Sequence, residues 1–198
     1  MLIARYVVSV LLGCMIFIYN LPMAASQPAG AEAFVVSFGN NVFQVLASKS
    51  SQKEKQKQFK TLFSSNTDID TIAQFTLGKY ASSLDVSERR EFGTLLEEFI
   101  AKVFIGRMSD IKGTAIEVLR TQEKKPGKDY LVQTIAKIEG QSPVRVNWRV
   151  YKNKGGNFRL FDISIEGLWL AQEQRSTFVD IIGKNKGNLK VLFDHLRR

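Results

Sequence analysis

The chain has 198 residues, 44% hydrophobic and 24% charged, a globular composition that excludes a collagen-like repeat, a disordered tail and a coiled coil. Lys and Arg number 28 against 19 Asp and Glu, a formal net charge of +9. One His (His195) and one Cys (Cys14) exclude a Cys/His zinc site and a redox CxxC pair, and leave a Ser-His-Asp triad only a histidine close to the C-terminus.

Residues 1–25 read as a secretory signal peptide. Arg5 is the only charge before Glu32, and the apolar run from Tyr6 to Ile18 is 13 residues. That length suits a signal h-region and falls short of the roughly 20 residues that span a bilayer. Pro22 stops a helix, and the small residues Ala24, Ala25 and Ser26 follow, so cleavage is expected between Ala24 and Ala31. An uncleaved N-terminal anchor is the alternative. The string Leu11-Leu12-Gly13-Cys14 faintly resembles a lipoprotein acylation box, but the chain stays apolar through Ile18, where a lipidated protein turns polar. Loss of Arg5 leaves 27 basic residues against 19 acidic ones, a charge of +8, and loss of Cys14 leaves no disulfide. A domain of residues 26–198 is large enough to be held by its core.

Between residues 32 and 47, Phe34, Phe38, Val42 and Val45 fall on one helical face. Residues 51–64 predict an exposed basic helix (Lys53, Lys55, Lys57, Lys60) anchored by Phe59, Leu62 and Phe63. Asp68 to Leu77 predicts a short helix stopped at Gly78. Asp85 and Glu88 have the spacing of a capping box. The helix they open runs to about Met108, with Phe92, Leu95, Leu96, Phe99 and Val103 as its stripe.

Near residue 112 the period becomes two. Strands are expected at 114–121, 129–139, 144–151 and 157–165, the third alternating Val144, Val146, Trp148, Val150 against Arg145, Asn147, Arg149, Tyr151. Asn153-Lys154-Gly155-Gly156 supplies a tight turn. The parity break at Leu160-Phe161 predicts a bulge. After Gly167 two helices follow, carrying Phe178, Ile181, Ile182 and then Leu189, Leu192, Leu196. The fold class is α+β: N-terminal helices, a four-stranded antiparallel sheet and C-terminal helices, with the helices on one sheet face.

Two strings resemble a known family. Asp68-Ile69-Asp70-Thr71-Ile72-Ala73-Gln74-Phe75-Thr76-Leu77-Gly78-Lys79-Tyr80 is similar to a signature of the MlaC (toluene-tolerance) family of periplasmic phospholipid-binding proteins. So is Phe158-Arg159-Leu160-Phe161-Asp162-Ile163-Ser164-Ile165-Glu166-Gly167, followed by Gln174-Arg175-Ser176-Thr177-Phe178. The resemblance spans about residues 30–198. Two positions depart: Trp169 stands where the family has a small polar residue, and Gln174 where it often has an aromatic.

The resemblance implies a periplasmic carrier with an apolar lipid pocket. It implies work between an inner-membrane ABC transporter complex with an MCE-domain subunit and an outer-membrane lipoprotein complex; a sister branch is associated with hopanoids. Each buried CH₂ contributes about 0.8 kcal/mol, so an acyl chain of about 16 carbons represents on the order of 10 kcal/mol, and such a carrier needs a deep apolar slot rather than polar contacts. The residues expected to line it are Phe75, Tyr80, Phe99 and Val103 from helices, with Val118, Val132, Val146, Trp148, Phe161, Ile163 and Leu168 from strands and their margin. No cofactor or metal is expected, and a monomer is.

The positive charge has three readings: nucleic acid, an anionic membrane face, or acidic protein partners. Export and the lack of an RNA- or DNA-binding motif disfavour the first. Lys152 and Lys154 on a hairpin tip, and Lys184 and Lys186 with Lys190, Arg197 and Arg198 near the C-terminus, are expected to steer docking to acidic membrane-bound partners, or else to serve solubility alone. Asp162, Glu166 and Arg175 are expected to be structural, Asp162 pairing with Arg175 or Arg149, and His195 to be a solvated surface residue. The rival readings are a small pocket enzyme, which would need a buried acid or base, and a chaperone with an apolar groove.

Overall fold

The computed structural model describes residues 27–108 and 110–198; the segment read as a signal peptide lies outside the described residues. The order is α1 (Gln27–Ala47), α2 (Gln52–Asn66), α3 (Ile69–Leu77), α4 (Val86–Met108), β1 (Gly113–Lys125), β2 (Asp129–Ile138), β3 (Val144–Lys152), β4 (Phe158–Ile165), β5 (Leu168–Trp169), α5 (Leu170–Lys184) and α6 (Leu189–Arg197). A 3-10 turn over Gly78–Ser83 joins α3 to α4. The class is α+β, and the strands form an antiparallel meander in chain order.

Local chemistry sets the helix ends. Asp68 Oδ1 accepts the Thr71 N–H at 3.2 Å, and Gly78 leaves α3 at φ +57°, where a Cβ would be strained. The Asp85–Glu88 capping box forms in both directions, at 2.8 and 2.9 Å. On α2, Lys60 is less free than expected, because it pairs with Glu98 on α4 at 2.9 Å.

Strand register follows the alternation. Val146, Trp148 and Val150 on β3 sit opposite Thr134, Val132 and Tyr130 on β2, and all six are buried. The expected bulge is present: Arg149 pairs with Asp162 and Val150 with Leu160, leaving Phe161 as the extra residue. The fifth strand was not expected. It is two residues long, too short to carry a period, and it forms because Glu166 (φ +48°) and Gly167 (φ +91°) turn the chain back onto β4.

α1 starts earlier than the residue 32 expected, and its buried face is Ala31, Val35, Phe38, Val42 and Leu46, with Phe34 and Val45 at the margins. Small residues at the contact explain this. A Cβ built on Gly30 would lie 2.9 Å from the Phe158 ring, one on Gly39 2.7 Å from Ile116 Cγ1, and one on Gly113 would run into the Phe43 ring. Three glycines thus let the helix lie flush on the sheet. The other helices pack chiefly on one another, with Phe92 touching Phe178 and Phe193 at ring separations of 6.0 and 5.9 Å, and meet the sheet mainly at β4. There Thr67 makes a parallel bridge to Leu160, and Tyr151 Oη donates to Asp68 Oδ2 at 3.1 Å.

Candidate functional site

Five of the residues expected to line a slot share one sheet face. Val132 and Trp148 are directly opposed, as are Trp148 and Ile163, while Val146 and Val118 both flank Thr134. The layer holds one built-in polar pair: Trp148 Nε1 donates to Thr134 Oγ1 at 2.8 Å, and that hydroxyl donates to the Val146 carbonyl at 3.1 Å. Every polar atom of that pair is therefore satisfied without water. α1 closes the layer, with Phe38 set edge-on to Trp148 at 6.0 Å.

The remaining expected residues do not join that layer. Phe75 and Phe161 meet each other edge-on at 5.2 Å, and each carries a guanidinium over its ring, Arg175 at 5.0 Å and Arg149 at 5.2 Å. Tyr80 lies beside Gly183 and Gly187. Phe99 sits with Phe178 at 6.3 Å among the helices, and Val103 is half-buried on the same helix. Leu168 is 52% exposed at the β4–β5 turn. His195 is not solvated as expected; it is half-buried, 5.8 Å from the Phe99 ring, because α6 folds back on α4.

Asp162 makes neither expected ion pair. Arg149 pairs with Asp129 at 3.2 Å, and Arg175 donates to the Phe75 carbonyl at 3.1 Å. Asp162 Oδ1 instead accepts the N–H groups of Ile163 and Ala171, each at 2.8 Å. It thereby caps α5 from a strand, where the N-cap residue Trp169 offers no acceptor. Burial pushes its carboxyl above the usual carboxylate range, partly opposed by those backbone N–H groups and by Arg149. Among the described residues no group of His, Cys, Asp and Glu is arranged to hold a metal ion.

Two clefts escaped sequence reasoning, because each is assembled from distant residues. One, of about 430 Å³, lies between α3 and α4, with Ile69, Ala73, Leu77 and Phe92 as apolar lining and Asp70, Arg89 and Arg90 among its polar residues. The other, of about 490 Å³, lies on the sheet face opposite α1, lined by Gln133, Ile135, Arg145, Asn147 and Glu166. None of the eleven expected apolar residues lines either cleft.

The family described as MlaC protein matches residues 37–198. A solved structure, the phospholipid-binding protein from Ralstonia solanacearum in complex with a phospholipid, is similar at a TM-score of 0.75 and 19% identity, covering 85% of this chain and 96% of that one. At that identity the likeness establishes the fold. No curated protein matches this chain.

Proposed function

The chain belongs to the MlaC family, and from that premise we propose that it is a periplasmic carrier of phospholipid, exported by residues 1–25. The observation that carries this reading is the family match across residues 37–198, nearly all of the described fold. The phospholipid held by the Ralstonia solanacearum protein of the same fold supports it. So does the continuous apolar layer between α1 and the sheet.

The mechanism is passive. Acyl chains replace the α1 side chains that now cover Val118, Val132, Val146, Trp148 and Ile163, while the headgroup stays in water. Loading therefore requires α1 and the sheet to separate. About 0.8 kcal/mol per buried CH₂ is available to offset that separation. The partners are the inner-membrane ABC transporter complex with its MCE-domain subunit and an outer-membrane lipoprotein complex. They set the direction of transport, because a carrier without nucleotide chemistry cannot. The cargo is a phospholipid, with a hopanoid-type lipid as the alternative within the family. The protein acts as a monomer, without cofactor or catalytic step.

Solvent extraction of natively purified mature protein, followed by mass spectrometry, is expected to give stoichiometric lipid; protein that is empty and takes up none from vesicles overturns the reading. A staple tests where the chains enter. A Cβ on Gly39 lies 3.7 Å from Ile116 Cβ, within the span of a disulfide. The Gly39→Cys, Ile116→Cys double variant, oxidised, is expected to block loading, and reduction to restore it. Loading that is indifferent to the staple places the cargo elsewhere.

A further inference from the structure

The fold brings together two lysine groups that are far apart in the chain. The β1–β2 turn carries Lys124, Lys125 and Lys128, and the β3–β4 turn carries Lys152 and Lys154. The Lys152 N–H donates to the Lys128 carbonyl at 2.8 Å, and Asp129 pairs with Tyr151, so the two turns lie side by side at one end of the sheet. Lys124, Lys125, Lys128 and Lys154 are exposed and form no ion pair among the described residues.

The nearby acids already have partners. Glu123 Oε1 accepts the Gly127 N–H across the turn, and Asp129 is buried and paired with Arg149. The turns are held in shape by backbone bonds rather than by the lysines: Asn153 Oδ1 accepts the N–H groups of Gly155 and Asn157, both at 3.0 Å, and Gly127 supplies φ +68°. The remaining turn residues, Pro126, Gly127, Asn153, Gly155 and Gly156, offer no large apolar side chain to insert into a partner. The Lys152 ammonium lies over the Phe158 ring at 5.0 Å, and that ring also packs on Phe34 and lies against Gly30, so α1 begins at this same end.

We propose that this end of the sheet is a docking site for the surface of an anionic lipid bilayer. Four exposed lysines, with Lys152 over Phe158 beside them, form a basic platform without an apolar anchor that suits a diffuse sheet of negative headgroups. A protein socket is served better by Arg forks and buried aromatic anchors. Each Lys near such a surface strengthens binding about fivefold at moderate ionic strength, so the cluster makes binding strong at low salt and weak at high salt. The proposal gives the carrier a place of contact with the membrane, and it stands or falls separately from cargo binding.

The test uses the mature chain and sedimentation with vesicles of phosphatidylcholine alone or mixed with phosphatidylglycerol. The wild type is expected to bind the phosphatidylglycerol vesicles at low ionic strength and to release as salt rises. The K124Q/K125Q/K128Q/K152Q/K154Q variant is expected to lose about a hundredfold or more in affinity, with its circular dichroism and extracted lipid content unchanged. A second variant, K53Q/K57Q/K184Q/K186Q/K190Q, carries the same net charge and is expected to lose less than about tenfold. Equal losses in the two variants overturn the proposal in favour of net charge alone. Absence of wild-type binding to phosphatidylglycerol vesicles overturns it outright. Stronger competition by poly-aspartate than by vesicles of matched charge overturns it in favour of an acidic protein partner.

Discussion

The two faces of the sheet come from the same residues of chain and have opposite fates. On β3, Val146, Trp148 and Val150 point under α1 and are buried. Their immediate neighbours Arg145 and Arg149 point to the other face and are exposed, with Asn147 half-buried between them beside the second cleft. One face is sealed by a helix seated on glycines; the other carries an open polar cleft. On the proposed carrier reading, an acyl chain under α1 would exchange one apolar partner for another, whereas on the open face it would strand Asn147 and the arginines.

The largest effect that sharpens this contrast belongs to the covered face. Trp148→Ala is expected to cost about 3–5 kcal/mol, from the cavity and the lost hydrogen bond to the Thr134 hydroxyl, read as a lower urea midpoint at unchanged slope. Gly113→Ala comes next, at about 1–3 kcal/mol, because its methyl group would meet the Phe43 ring and force α1 off the sheet. An unchanged midpoint for Gly113→Ala would show that α1 is already loosely held.

A smaller effect lies at the junction of sheet and helices. Asp162→Ala removes the cap of α5 and is expected to cost about 1–2 kcal/mol, whereas Asp162→Asn keeps an acceptor and is expected to cost less. The sign of the pH effect follows from the raised carboxyl value. The folded state holds this proton more tightly than the unfolded chain, so the group favours folding at low pH and loses that contribution as pH rises through its raised value. The wild type should therefore gain stability relative to Asp162→Asn as pH is lowered into the carboxylate range, compared by paired urea titrations. The opposite slope would mean that the backbone N–H groups and Arg149 outweigh burial. The smallest effect is on the open face. Arg149→Gln is expected to cost about 1 kcal/mol or less, because its side chain is 49% exposed despite the contact with Asp129.

Much of this was legible in local patterns. The Asp85–Glu88 cap, the strand alternation of β3 and the Phe161 bulge each depend on residues a few positions apart, and spacing along the chain reports them directly. The start of α1 was misplaced because its first turns are small residues, whose burial has no hydrophobic signature. Asp162 was read as an ion-pair partner because sequence gives charge and not orientation; the bulge and the β5 turn bring it to the first N–H groups of α5.

The sequence by itself determined the α+β class, the order of helices and meander, the family resemblance and which residues could face a core. Only the tertiary structure decided that α1 alone lies across the sheet, that eleven expected lining residues divide among several places, and that two lysine turns form one basic end. The reason is physical. Periodicity encodes which side of an element is apolar, but the partner of that side is chosen by packing between elements many residues apart, and packing is a property of distance in space.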